Sequence, residues 1–206
     1  MENQRQRTIR ILGISELLFF SAFAFLVGIL ISCILPVPKA QGAETKNNIL
    51  IVYFSRSGNT KELAAQIQAI TGGKLVELEP VEVYPADYQL TVNRARRELA
   101  SDIHPPLKTK IDDIDAYSII FLGSPNWGGS IAPPVKTFLS EYDLSGKIII
   151  PFMTHGGSGL GHTSSDLKSL APRATLAEGL AVRGSAVREA RKNVEAWVSR
   201  FGILKN

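Results

Sequence analysis

The sequence has 206 residues, 45% of them hydrophobic and 20% charged, the make-up of an ordinary globular chain whose length suggests one domain with something added. Of its 23 basic and 19 acidic residues, Arg5, Arg7, Arg10, Glu2 and Glu16 fall in the first 33, so the remainder carries 20 and 17, too even a balance for a nucleic-acid surface built of clustered Lys and Arg. Cys33 is the only cysteine, which excludes an intramolecular disulfide and a cysteine-rich metal centre.

Residues 1–45 read as a signal peptide, or a membrane or lipoprotein anchor, followed by a linker. Three arginines precede an apolar stretch from Ile9 to Leu35 that is interrupted by Glu16 and a few small polar residues. A basic end before an apolar segment is the layout of an export signal. The basic end should stay in the cytoplasm while the rest crosses. Three fates are open. Leu30-Ile31-Ser32-Cys33 resembles a lipobox, in which Cys33 is lipidated. Ala40-Gln41-Gly42 offers ordinary cleavage before Ala43. The stretch is also long enough to remain as an anchor across a bilayer core of about 30 Å. All three place the domain of residues 46–206 outside the cytoplasm, in a periplasm or on a cell surface.

That domain alternates strands and helices. Residues 49–54 form a continuous apolar run, as expected of a parallel strand covered on both faces. The loop Ser55-Arg56-Ser57-Gly58-Asn59-Thr60 follows. A helix then carries Leu63, Ala64, Ile67 and Ile70 at helical spacing, with Asn59 as its expected cap and Gly72-Gly73 as its stop. Residues 74–79 alternate and suit a sheet edge. A helix is expected over 88–101, a strand over 118–123 and a helix over 133–142. A strand is expected over 147–154, with Pro151 at a bulge or an unpaired position. A short helix over 162–170, a weak strand within 174–182 and a closing helix over 185–201 complete the chain. The βαβ alternation makes this an α/β domain with a doubly wound parallel sheet.

In such sheets ligands bind beyond the carboxyl ends of the strands. Three loops leave strand ends and are rich in Gly, Ser and Thr. In the first, Gly58 permits a tight turn, backbone N–H groups converge at a helix start, and Ser55, Ser57 and Thr60 add hydroxyls. No lysine follows as in a triphosphate P-loop, so the loop suits a monophosphate. The others are Leu122-Gly123-Ser124-Pro125-Asn126-Trp127-Gly128-Gly129-Ser130 and Thr154-His155-Gly156-Gly157-Ser158-Gly159-Leu160-Gly161.

The first loop resembles the phosphate-binding signature of flavodoxins, T/S-x-T/S-G-x-T, and the likeness continues through the other two loops over residues 48–201. It is closest to the exported, membrane-anchored flavodoxin-like proteins of bacteria. The resemblance implies a flavodoxin-like three-layer sandwich around a five-stranded parallel sheet of order 2-1-3-4-5. It implies FMN held non-covalently by Ser55, Arg56, Ser57, Gly58, Asn59 and Thr60, by Ser124, Pro125, Asn126, Trp127 and Gly128, and by Thr154, His155, Gly156, Gly157, Ser158 and Gly159. Trp127 would stack on the flavin ring. His155 would either approach the ring or only bond locally. Two positions depart from the family's habit: Ser124 stands where Tyr is common and Gly128 where a second Trp is common, which thins the expected aromatic sandwich. No twin-arginine pair stands in the leader, so the flavin would be acquired after crossing.

The resemblance implies a monomeric electron carrier with a protein redox partner. The alternatives are an NAD(P)H-dependent FMN or quinone reductase of the same fold, and a module that has lost its flavin. A serine hydrolase is remote, because Ser158 is not set in a G-x-S-x-G elbow.

Overall fold

The computed structural model describes residues 48–204; the export signal, the Cys33 lipidation site and the Ala40-Gln41-Gly42 cleavage site expected before them lie outside the described residues. Strand β1 (Ile49–Tyr53) leads into helix α1 (Asn59–Thr71), edge strand β2 (Lys74–Glu77) and helix α2 (Tyr88–Ala100). A long β3 (Ile119–Trp127) turns into a short β4 (Ser130–Ile131), followed by α3 (Pro133–Glu141), β5 (Ile148–His155) and α4 (Thr163–Leu170). The chain ends with β6 (Thr175–Leu176), β7 (Leu180–Arg183) and α5 (Arg191–Ser199).

The sheet runs β2-β1-β3-β5, with β6 and β7 sharing the position outside β5; all of these pairings are parallel, and β4 alone runs antiparallel, against β3. The class is as expected, a parallel sheet between helices, but the sheet has seven strands rather than five: a hairpin strand, β4, is added, and the fifth strand is split into β6 and β7. Successive residues of a strand point to opposite faces. Leu50, Val52 and Phe54 accordingly join one buried cluster with Phe138, Leu139 and Leu167, while Ile49, Ile51 and Tyr53 join another with Leu63, Ile67 and Trp197. Both faces are covered, hence the unbroken apolar run in β1.

Pro151 splits the outer strand. It lies in register with Leu122 of β3 on one side. On the other side β6 pairs with Ile148 and Ile149, and β7 resumes at Phe152. The imide nitrogen has no hydrogen to donate, so the neighbouring chain bows away over Gly179, where a Cβ would stand 3.0 Å from the Pro151 ring. Two further elements differ from expectation. Residues 124–127 continue β3 rather than forming a loop, because β5 pairs with Ser124 and Pro125 and the β4 hairpin with Asn126 and Trp127. The closing helix begins as a 3-10 segment (Gly184–Glu189) and becomes α-helical only at Arg191. Within that segment the Val187 carbonyl accepts from both the Gln66 side chain and the Ala190 N–H.

Candidate functional site

The carboxyl ends of β1, β3, β5 and β7 open into one cavity of about 670 Å³. Its floor begins with the loop after β1. Gly58 has φ 89°, in the left-handed region, and serves as the N-cap of α1. Asn59 is therefore the first helical residue and does not cap the helix; its side-chain amide lies against Gly184, where a Cβ would come within 2.6 Å. Among the described residues, the backbone N–H groups of residues 55–58 donate to no backbone acceptor. Those of Asn59 and Thr60 belong to the first helical turn, whose donors are free by geometry. Consecutive unpaired N–H groups at the positive end of a helix make an anion cradle. The Arg56 guanidinium donates to the Pro85 and Ala86 carbonyls and ties the loop to the residues just before α2.

The Thr60 and Thr154 hydroxyls share a 2.8 Å hydrogen bond that joins the first loop to the third, both side chains being buried. Two polar atoms beside them have no partner in the protein: Ser55 Oγ and His155 Nδ1 are both buried. A buried polar atom without a partner costs roughly 1–3 kcal/mol, so these mark places where a ligand group would be favoured.

The second wall is the β3–β4 hairpin. Gly128 (φ 61°) and Gly129 (φ 88°) form a two-residue turn between Trp127 and Ser130, and positive φ at both positions is what such a tight hairpin demands. The family's second Trp cannot occupy Gly128 without strain. Ser124 is buried in the strand; its hydroxyl donates to the Pro125 carbonyl at 2.9 Å and accepts from the Ala132 N–H at 2.8 Å. Asn126 pins the hairpin to the third loop, donating to the Gly159 carbonyl at 2.9 Å and accepting from the Gly129 N–H at 3.0 Å. Asp166 of α4 accepts from the Ser130 hydroxyl at 2.6 Å.

Trp127 lines the cavity and is held edge-on by two other rings, Tyr84 at 4.9 Å and Phe54 at 5.4 Å between centroids. Beneath it, the Tyr84 hydroxyl donates to the buried Glu98 carboxylate, which also takes the Arg94 Nε at 2.7 Å. The Arg94 guanidinium lies 4.2 Å from the centre of the Tyr84 ring. Burial first, and then the bond to Glu98, hold the Tyr84 phenol far above its ordinary pKa. Burial and Glu77 do the same for Tyr53.

Of the residues singled out in the sequence, Arg56, Ser57, Asn59, Thr60, Pro125, Asn126, Trp127, Gly128, Thr154, His155 and Gly156 meet around the cavity. Ser55, Gly58, Ser124, Gly157, Ser158 and Gly159 are not among the residues that line it. Nothing in the sequence pointed to the third wall, formed by Tyr88, Thr91, Val92, Ala95, Arg96 and Leu99 of α2, or to the rim at Arg183, Gly184 and Ser185. The hairpin did have a signal, the Gly-Gly pair between Trp127 and Ser130.

A family profile described as flavodoxin matches residues 48–201. A solved flavoprotein from Lactobacillus acidophilus NCFM, in complex with FMN, is 28% identical with a TM-score of 0.60; the match covers 69% of this chain and 97% of that chain. A candidate flavoprotein from Bacteroides uniformis is 27% identical with a TM-score of 0.67, covering 74% of this chain and 98% of its own. One from Bacteroides eggerthii is 29% identical with a TM-score of 0.61, covering 71% and 97% respectively. No curated protein matches the sequence.

Proposed function

The chain belongs to the flavodoxin family, and we propose that it binds FMN non-covalently in this cavity and passes electrons through it, outside the cytoplasm. The observation that carries the reading is the run of unpaired backbone N–H groups over residues 55–60, set at the mouth of a cavity that also presents Trp127. The residues present fit the cofactor. The nest and the Ser57 hydroxyl would take the phosphate without a lysine, as suits a monophosphate. Trp127, fixed by Tyr84 and Phe54, would supply a flat apolar face for the ring. The orphaned His155 Nδ1 and the exposed Gly156 and Gly157 backbone would border the ring's polar edge. FMN, when bound, supplies the redox chemistry. The protein's part is to orient it, shield one face from water and tune its electrostatics.

The reading of export rests on Arg5, Arg7 and Arg10 ahead of the apolar stretch, with Cys33 as the lipidation site and the membrane reached through that lipid or an uncleaved anchor. Fractionation of the natural host, with and without Cys33→Ser, checks it: loss of membrane association in the variant supports lipidation, and an unchanged membrane fraction points to an anchor.

The functional test is reconstitution of the full-length chain, solubilised in detergent, with FMN. Stoichiometric uptake with a perturbed visible spectrum supports the proposal. Steady oxidation of NADH or NADPH by the loaded protein would replace the carrier with a reductase. Failure to take up FMN would leave a flavodoxin-family module without its cofactor.

A further inference from the structure

The cavity's charge is one-sided. Arg56, Arg96 and Arg183 line it, and among the described residues no Asp or Glu does. Arg56 is occupied by the Pro85 and Ala86 carbonyls, which leave its charge in place. Arg96 is exposed on α2 and forms no ion pair or hydrogen bond among the described residues. Arg183, at the end of β7, gives one N–H to the Gly156 carbonyl at 2.9 Å. Its other terminal nitrogen lies 3.8 Å from where a Cβ on Gly157 would stand. It has no carboxylate partner either. Two guanidiniums without a carboxylate partner among the described residues thus flank the cavity, one on the α2 wall, whose Leu99 also approaches the Gly128 turn, and one at the end of β7, bonded to the third loop.

We propose that Arg96 and Arg183 favour reduced over oxidised FMN in this protein and so raise the potential of its bound flavin. The inference rests on the FMN reading above. Electrons entering the ring add negative charge to it, and a site with free cations and no carboxylate favours the more negative form. Neither arginine is required for the phosphate, which the backbone nest serves. Both are solvent-exposed, so each contributes modestly: on the order of threefold to tenfold in the ratio of affinities for the two redox states. That ratio corresponds to about 15 to 30 mV for a two-electron couple.

The experiment measures FMN and riboflavin affinity, and the midpoint potential of bound FMN, for the full-length chain and for Arg96→Gln, Arg183→Gln and the double variant. Arg96→Lys and Arg183→Lys serve as charge-conserving controls. The expected result is a potential that falls in each Gln variant, falls further in the double variant and is retained with Lys. Added salt should lower the potential of the wild type more than that of the double variant, because exposed charges are screened. Potentials unchanged in the Gln variants would overturn the proposal. So would a loss confined to FMN relative to riboflavin with the potential unmoved, which would assign the arginines to the phosphate. Absence of FMN binding by the wild type would instead overturn the reading on which the inference stands.

Discussion

Thr60 and Thr154 carry the connection between the first and third loops through one buried hydrogen bond. Thr60 also opens the cavity at the helix start. Thr60→Val keeps the shape and removes the hydroxyl, leaving that of Thr154 buried without its partner, at a cost of about 1–3 kcal/mol. Denaturant unfolding should show that loss. The same variant should weaken FMN more than riboflavin, since only FMN carries the phosphate; equal weakening would place the phosphate elsewhere. Trp127 predicts the complementary pattern. Trp127→Ala removes a stacking face, so affinity for FMN and riboflavin should drop together, by on the order of tenfold. Unchanged affinities would show that the indole serves only its cluster with Tyr84 and Phe54.

At the scale of elements, the β3–β4 hairpin sets the second wall. Its turn residues have φ 61° and 88°, where a side chain costs about 1–2 kcal/mol per residue. Replacing both Gly128 and Gly129 with Ala should lower the melting temperature. It should weaken flavin binding as well, because Asn126 holds the Gly159 carbonyl of the third loop and the Gly129 carbonyl accepts from the His162 N–H just beyond it. An unaltered melting temperature would contradict the account of the turn. The buried strands and the first loop were legible because their signals are local: an apolar run for a two-sided strand, and Gly58 before a periodic helix. The α2 wall was not. Periodicity shows that Val92, Ala95 and Leu99 share a face, but not whether that face meets the core or a cleft; the structure places all three at the cavity. Pro151 was legible as an unpaired position. Its effect on the neighbouring chain, two short strands in place of one, depends on register that no single segment encodes.

The described body is a sheet with two buried faces, and each face holds a tyrosine whose phenol is kept protonated well above its ordinary range. The unfolded chain releases these protons at a pH of about 10. The folded chain keeps them to higher pH, so the unfolded state binds fewer protons there and stability falls as pH rises above about 10. Tyr84→Phe should blunt that alkaline loss, which unfolding measured at pH 8 and at pH 11 would reveal; an identical loss in wild type and variant would count against it. Among the described residues no helix is long and apolar enough to cross a membrane. Membrane attachment is proposed for residues 1–45, which lie outside the described residues, and the described body supplies the cavity.

A fluorescence titration of the full-length chain, in detergent, with FMN and then with riboflavin decides whether the cavity is a flavin site. Strong quenching of both flavins is expected, with FMN bound more tightly, if the ring stacks on Trp127 and the phosphate sits in the nest at residues 55–60. Quenching of neither, or equal affinity for both, would contradict that reading.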